Sequence, residues 1–317
     1  MKQLIIATVA ASLALAACGD DDTADTTKPA DTTRPADTQP ADTTAAVNDY
    51  DLSQVQVNDA ASSCAEGKTL AAGSLTIATG DPAFPPYVID DDPTSGEGFE
   101  SALALAIAKA MGFEGDAVSW VRTSFDTAVA GSDATNDFNL QQFTINDERK
   151  QVVSFSDPYY TANQAVLGSI DGPAASITSM ADLKGLKLGA AAGTTSLQYI
   201  LDVLKPDAEP FAFNSNADAA TALGNGQIDA IISDLPTAIF WASAGAEFGG
   251  IDNTKVYGQF PLGDQGGDQW GLLLAKDSPL TECVNTALAG LVEAGQLDAI
   301  TELWMTDYAE APLLPES

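Results

Sequence analysis

The sequence predicts an α/β protein of two lobes, carried behind an N-terminal targeting segment. Three observations predict this fold. Short β-rich runs alternate with helix-period segments from residue 75 onward, the pattern of parallel sheets covered by helices. The alternation comes in two sets, one before and one after Tyr160. Polar clusters fall just past strand ends in both sets, where open α/β sheets form their ligand crevices. Two such half-sites imply two lobes facing each other across a cleft.

Composition narrows the chemistry. The 317 residues carry 13 Lys+Arg against 45 Asp+Glu, a formal net charge of −32, and contain no histidine. The acidic balance opposes nucleic-acid binding. Without histidine there is no Ser-His-Asp or Cys-His catalysis and no His-containing metal site. Three cysteines are too few for a four-cysteine zinc site. No metal or cofactor is expected; binding remains open, as does chemistry run by carboxylates, Lys, Tyr or Ser.

Residues 1–17 read as a signal peptide: Lys2, an apolar run too short to span a bilayer stably, then small residues. Leu15-Ala16-Ala17-Cys18 resembles the lipobox of bacterial lipoproteins, which implies cleavage before Cys18 and acylation of that cysteine; the alternative is an ordinary secretory signal with a chance cysteine. Residues 18–60 then read as a tether. The unit Pro-Ala-Asp-Thr recurs there, and residues 19–60 hold ten aspartates against two basic residues. Such a segment buries too little to offset its ordering entropy. As a flexible chain it would span roughly 35 Å, and more with its prolines and like charges. The expected location is the outer face of the cytoplasmic membrane, held there by lipid.

With Cys18 assigned to the anchor, Cys64 and Cys283 remain. An even pair in an exported body predicts a disulfide; two buried free thiols are the alternative.

The body begins with a strand over Leu75–Thr79 and the loop Gly80-Asp-Pro-Ala-Phe-Pro-Pro-Tyr87. Phe99, Leu103, Ile107 and Met111 recur at helical spacing, predicting an amphipathic helix over 97–111 that Gly112 ends. A strand over Ala117–Arg122, a helix from Phe125 and a strand over Phe138–Gln142 follow. The second set has strands over Gln164–Ile170 and Leu186–Ala190, a helix opened by Gly193-Thr-Thr-Ser196, a strand over Pro210–Phe213, a helix over 216–225 capped by Ser215 or Asn216, and a strand ending at Asp234. Strands over Val256–Phe260 and Trp270–Ala275 and helices over 278–292 and 295–305 close the chain. The expected division is a first lobe over 61–161 and 258–317 and a second over 162–257.

GDPAFPPY, GEGFESALALAIAKAMG, FTINDERKQVVSFSDPYY, DLKGLKLGAAAGTTS and GQIDAIISD resemble, in order over residues 74–307, the family 3 extracytoplasmic solute-binding proteins, the polar amino-acid receptors of ABC importers. The resemblance implies two Rossmann-like α/β lobes joined by two hinge strands, with a free amino acid trapped between them, and delivery to a membrane permease with its ATPase. A monomer is expected. A sensor domain on the same lobes is the alternative, and a dehydratase-like enzyme on this fold a more distant one.

The resemblance also implies a site. Arg149 stands where the family grips the substrate α-carboxylate, a task suited to a permanently charged, two-pronged guanidinium; a surface arginine paired with Asp147 or Glu148 is the bland alternative. Thr144 supplies a hydroxyl. Gln142 replaces a small residue and is long enough to bond a substrate side chain; alternation sets Gln142 and Thr144 on one strand face, with Phe143 either core or pocket edge. Gly193, Thr194 and Thr195 open a helix whose amides and dipole favour an anion, although the same residues make an ordinary N-cap. Asp234 matches the carboxylate that accepts the α-ammonium, or else caps the next helix. Phe84 would stack on the substrate side chain, Phe125 would form a wall, and Asp81 either touches a cationic side chain or serves the turn before Pro82. Tyr159, Tyr160, Trp120 and Trp270 are assigned to core or hinge packing.

Overall fold

The computed structural model describes residues 50–260 and 267–317. The signal peptide, lipidated Cys18 and tether expected over residues 1–49 lie outside the described residues.

The first lobe opens with α1 (Asp59–Ala65), β1 (Leu75–Thr79), α2 (Phe99–Ala110), β2 (Val118–Arg122), α3 (Phe125–Val129), β3 (Phe138–Asn139), β4 (Val153–Phe155) and β5 (Tyr160–Ala162). The second holds β6 (Gln164–Ser169), β7 (Leu188–Ala191), α4 (Thr195–Tyr199), β8 (Phe211–Phe213), α5 (Asn216–Gly224), β9 (Ala230–Asp234), α6 (Leu235–Ser243) and β10 (Thr254–Phe260). The chain then supplies β11 (Asp268–Trp270), β12 (Leu273–Ala275), α7 (Thr281–Glu293) and α8 (Gln296–Met305).

Two five-stranded sheets result, in the orders β2-β1-β3-β12-β4 and β10-β6-β9-β7-β8. Three neighbouring strands in each are parallel, and antiparallel strands complete both. The sheets are therefore mixed rather than wholly parallel. β5 and β11 pair separately, Trp270 opposite Tyr160 and Asp268 opposite Ala162, where the chain passes between lobes. β10 pairs with β6 along its length, so the second lobe runs to Phe260 and not to 257. The tail returns to it as well: Gln259 N donates to Pro312 O, Met180 N to Pro315 O, and Leu314 sits in that lobe's core. Assigning all of 258–317 to the first lobe is corrected accordingly.

The tether boundary moves too. Val55 is buried, Tyr50 and Leu52 pack on the first-lobe core, and the Asn58 side chain accepts from the Ala60 and Ala61 amides to cap α1. Residues 50–60 thus belong to the body: their few apolar side chains, among polar neighbours, find a core to cover. Cys64 of α1 and Cys283 of α7 are disulfide-bonded with Cα atoms 5.3 Å apart.

Two elements differ from their sequence pattern for physical reasons. α2 is buried on nearly every side, because α7 and α8 cover what the sheet does not; its alanines permit that close approach. The strand expected over Trp270–Ala275 is two strands broken at Gly271, where a Cβ would stand 2.8 Å from Ile145 Cδ1.

Candidate functional site

The loops after β1, β3 and β7 and the end of β9 converge on one cleft, lined by Asp81, Phe84, Phe125, Gln142, Thr144, Arg149, Thr194, Thr195 and Asp234 among others. Gly193 joins them through its carbonyl.

Arg149 is 7 % exposed, which removes the surface ion-pair alternative; Lys150, not Arg149, reaches Asp147. Its Nη1 donates to Thr144 O at 2.7 Å and its Nη2 crosses the cleft to Gly193 O at 2.9 Å. The guanidinium lies 5.3 Å from the centre of the Phe125 ring, a favourable cation–π placement. Burial pulls its pKa down to about 10, opposed by Asp268, Asp234 and Glu148, so it remains charged at neutral pH. Phe125 stacks on Phe143 at 5.0 Å; Phe143 is fully buried and belongs to the core.

On the facing lobe Thr194 is the N-cap of α4, accepting from Leu197 N at 3.1 Å. Gly193 has φ +74°, a conformation glycine adopts freely. Thr195 occupies the first helical position, whose amide has no partner within a helix. Its hydroxyl donates to Asp268 Oδ2 at 3.0 Å and lies 3.5 Å from the Thr144 hydroxyl.

Asp234 precedes α6 but makes no side-chain cap. Its Oδ1 accepts from Gln164 Nε2 at 2.5 Å. Burial and then Asp268 push its carboxyl well above the usual range, against Gln164 and Arg149, which pull it down.

Gln142 leaves the strand. The backbone turns to φ +51° there, β3 ends at Asn139, and the expected alternation through Gln142 does not hold. Its amide N and Nε2 both donate to Glu100, at 2.8 and 2.5 Å, so its side chain is engaged with the protein. Tyr159 OH also donates to Glu100. Burial pushes the Glu100 carboxyl up to about 7, with Tyr159 and Gln142 pulling it down. Asp81 is exposed at the rim, in a cis peptide with Pro82.

Phe84 faces the other lobe, its ring 6.4 Å from Phe240 and 6.0 Å from Trp241 on α6. Beside it Tyr87 OH and Thr237 Oγ1 are hydrogen-bonded at 2.9 Å across the lobes. Trp270 is completely buried between Tyr87, Tyr159 and Tyr160, as core packing predicts.

Sequence reasoning missed Glu100, Gln164, Asp268 and the Tyr87–Thr237 contact. Two signals were available: an acid in the first turn of an otherwise apolar helix, and a lone glutamine opening an apolar strand. Asp268 had none, lying in a glycine-rich stretch. Among the described residues no group of three or more Cys, Asp and Glu is arranged to hold a metal ion.

Comparison with known proteins supplies the context. An arginine-binding protein of an ABC transporter in Escherichia coli (strain K12) is 27% identical over 70% of this chain and 86% of its own. A glutamine-binding protein of an ABC transporter in Bacillus subtilis (strain 168) is 31% identical over 68% of this chain and 76% of its own. An ancestral arginine-binding protein solved with glutamine superposes with a TM-score of 0.63 at 31% identity, covering 74% of this chain and 98% of that one. The family described as bacterial extracellular solute-binding proteins, family 3, matches residues 75–307, and this chain belongs to it.

Proposed function

We propose that this protein is the extracytoplasmic receptor of an ABC importer, holding a free amino acid between its lobes and delivering it to a membrane permease with its ATPase. The observation that carries the reading is that Arg149 and Asp234, from opposite lobes, line one cleft. A fixed cation and a carboxylate facing one cleft suit an α-amino-acid zwitterion. The substrate carboxylate meets Arg149, the Thr144 hydroxyl and the amides that open α4 at Gly193–Thr195; the ammonium meets Asp234. Phe84 and Phe125 wall the side chain, with Asp81 at the rim. Gln142 acts on the pocket through Glu100.

Relatives named for arginine, glutamine and cystine support a polar or cationic side chain. The lipobox-like Leu15–Cys18 and the Pro-Ala-Asp-Thr repeat support an anchor at Cys18 and a tether that keeps a monomeric receptor near its permease. A thermal-shift screen of the twenty amino acids on the body from residue 50 tests the reading. Linkage gives about 2.7 kcal/mol of added stability at a hundredfold excess over Kd. A screen in which no amino acid raises the melting temperature contradicts it.

A further inference from the structure

Asp268 has no part in the reading above, yet it is built into the ammonium side of the cleft. It is 6 % exposed, and its Oδ2 accepts from the Thr195 hydroxyl at 3.0 Å and from Gln164 Nε2 at 2.8 Å. The same nitrogen donates to Asp234 Oδ1 at 2.5 Å. Gln164 Oε1 accepts from the Ser196 hydroxyl at 2.6 Å. Flipping the amide would set its oxygen against two carboxylates, so the network fixes its orientation. One amide nitrogen therefore holds both carboxylates, and their oxygens are no farther apart than its two bonds reach.

Two consequences follow. A threonine hydroxyl has one proton, and Asp268 takes that of Thr195. The Thr195 oxygen then offers lone pairs to the cleft, which suit an ammonium, while its backbone amide remains available to a carboxylate. The second consequence concerns charge. The groups facing the pair are Arg149 from the loop after β3, Glu100 at the start of α2, Tyr87 from the first loop and Tyr159 before β5, with Glu148 acting on Arg149. Burial keeps both tyrosines protonated. Arg149 is the one cation in this set, and its nitrogens go to the Thr144 and Gly193 carbonyls. Two carboxylates this close, Asp268 buried and Asp234 partly so, share a proton unless a cation comes between them.

We propose that Asp268 is a positioning residue of the ammonium half-site: it orients Thr195 as an acceptor, shares Gln164 with Asp234, and holds with Asp234 one proton that leaves when the ligand's ammonium arrives. The proposal rests on the reading of the cleft as an amino-acid site. On binding, a carboxyl O–H bond breaks and its proton passes to the buffer. An ammonium N–H replaces it as donor to the carboxylate, and no bond within the ligand changes. Because protons leave on binding, affinity falls as pH drops through the titration range of the free pair.

The test is calorimetric titration near neutrality in phosphate and in Tris, whose ionisation enthalpies differ enough to count protons. The probe is whichever L-amino acid gives the largest thermal shift, L-arginine and L-glutamine being tried first. If none shifts the protein, the amino-acid reading itself fails. If one binds, about half a proton or more should be released. Asp268→Asn should release less than about a fifth of that and lose the weakening at acid pH. Asp268→Ala, which cannot accept from Thr195, should bind about tenfold more weakly than Asp268→Asn. Binding without proton release, or with uptake, overturns the proposal. So does an unchanged release in Asp268→Asn, which would assign the proton to Glu100, or equal affinity in the two variants. Should both variants fail to fold, Glu100→Gln decides: release kept in that variant supports the pair, and release lost there assigns the proton to Glu100 and overturns the proposal.

Discussion

Arg149 of the first lobe donates a hydrogen bond to the Gly193 carbonyl of the second, 2.9 Å across the cleft. The group that would meet a substrate carboxylate is thus also a tie between the lobes. Its other bond, to Thr144 O, fixes the fork from behind.

Arg149→Ala should loosen amino-acid binding by about 10²–10⁴ in Kd, since it strands a carboxylate in a water-poor cleft. Arg149→Lys should recover only part of this, because an ammonium cannot bridge two acceptors in one plane. Arg122 braces the first loop through Gly80 O and Asp91; its removal should cost less than about tenfold. Calorimetric titration of the three variants checks the order.

Thr237→Val should weaken binding without touching the amino acid. It leaves the buried Tyr87 hydroxyl unpaired in the closed form, a cost of about 1–3 kcal/mol that falls on the closed state. Solution scattering should show the wild type shrinking on saturation with ligand and the variant needing more ligand to do so. A profile that does not change at saturation would argue for a rigid body.

Glu100 should make stability depend on pH. Its folded pKa is raised by burial from 4.5 to about 7, so the folded state holds a proton that the unfolded state has lost. Its contribution is fully present below the unfolded value and disappears as pH rises through about 7. The integrated effect is about 3 kcal/mol. Melting temperature against pH should therefore fall more steeply over that window in the wild type than in Glu100→Gln; parallel curves would contradict the burial argument.

Reduction of Cys64–Cys283 should lower the melting temperature, with a stability loss of about 2–5 kcal/mol. The bond ties α1 to α7, away from the residues that line the cleft. Titration after reduction and alkylation should leave Kd within about threefold, under about 1 kcal/mol.

Much of this fold is local enough to read from sequence. The Leu75–Thr79 run, the Phe99–Ala110 periodicity and the Ser215 cap each follow from neighbouring residues, and each is found. Arg149, Thr195 and Asp234, expected from the resemblance, are brought to one cleft. What escaped depends on distant partners. Gln142 turns out of its strand and onto Glu100, 42 residues away in sequence. Asp268 meets Thr195 and Gln164, 73 and 104 residues away. The Gly271 break, which separates β11 from β12, answers to Ile145 on another segment. No periodicity encodes such contacts, and the buried polar network behind the cleft is made of them.

The most direct test of the account is whether the cleft reads both ends of an α-amino acid. The measurement is the Kd of the best-binding amino acid beside those of its decarboxylated amine and its N-acetyl derivative, by titration into the same protein. Each analogue removes one charge while nearly keeping the side chain. The account predicts that both bind at least about 100-fold more weakly, the loss of one charge-assisted contact and the stranding of Arg149 or Asp234. Either analogue binding within about threefold of the parent would contradict it.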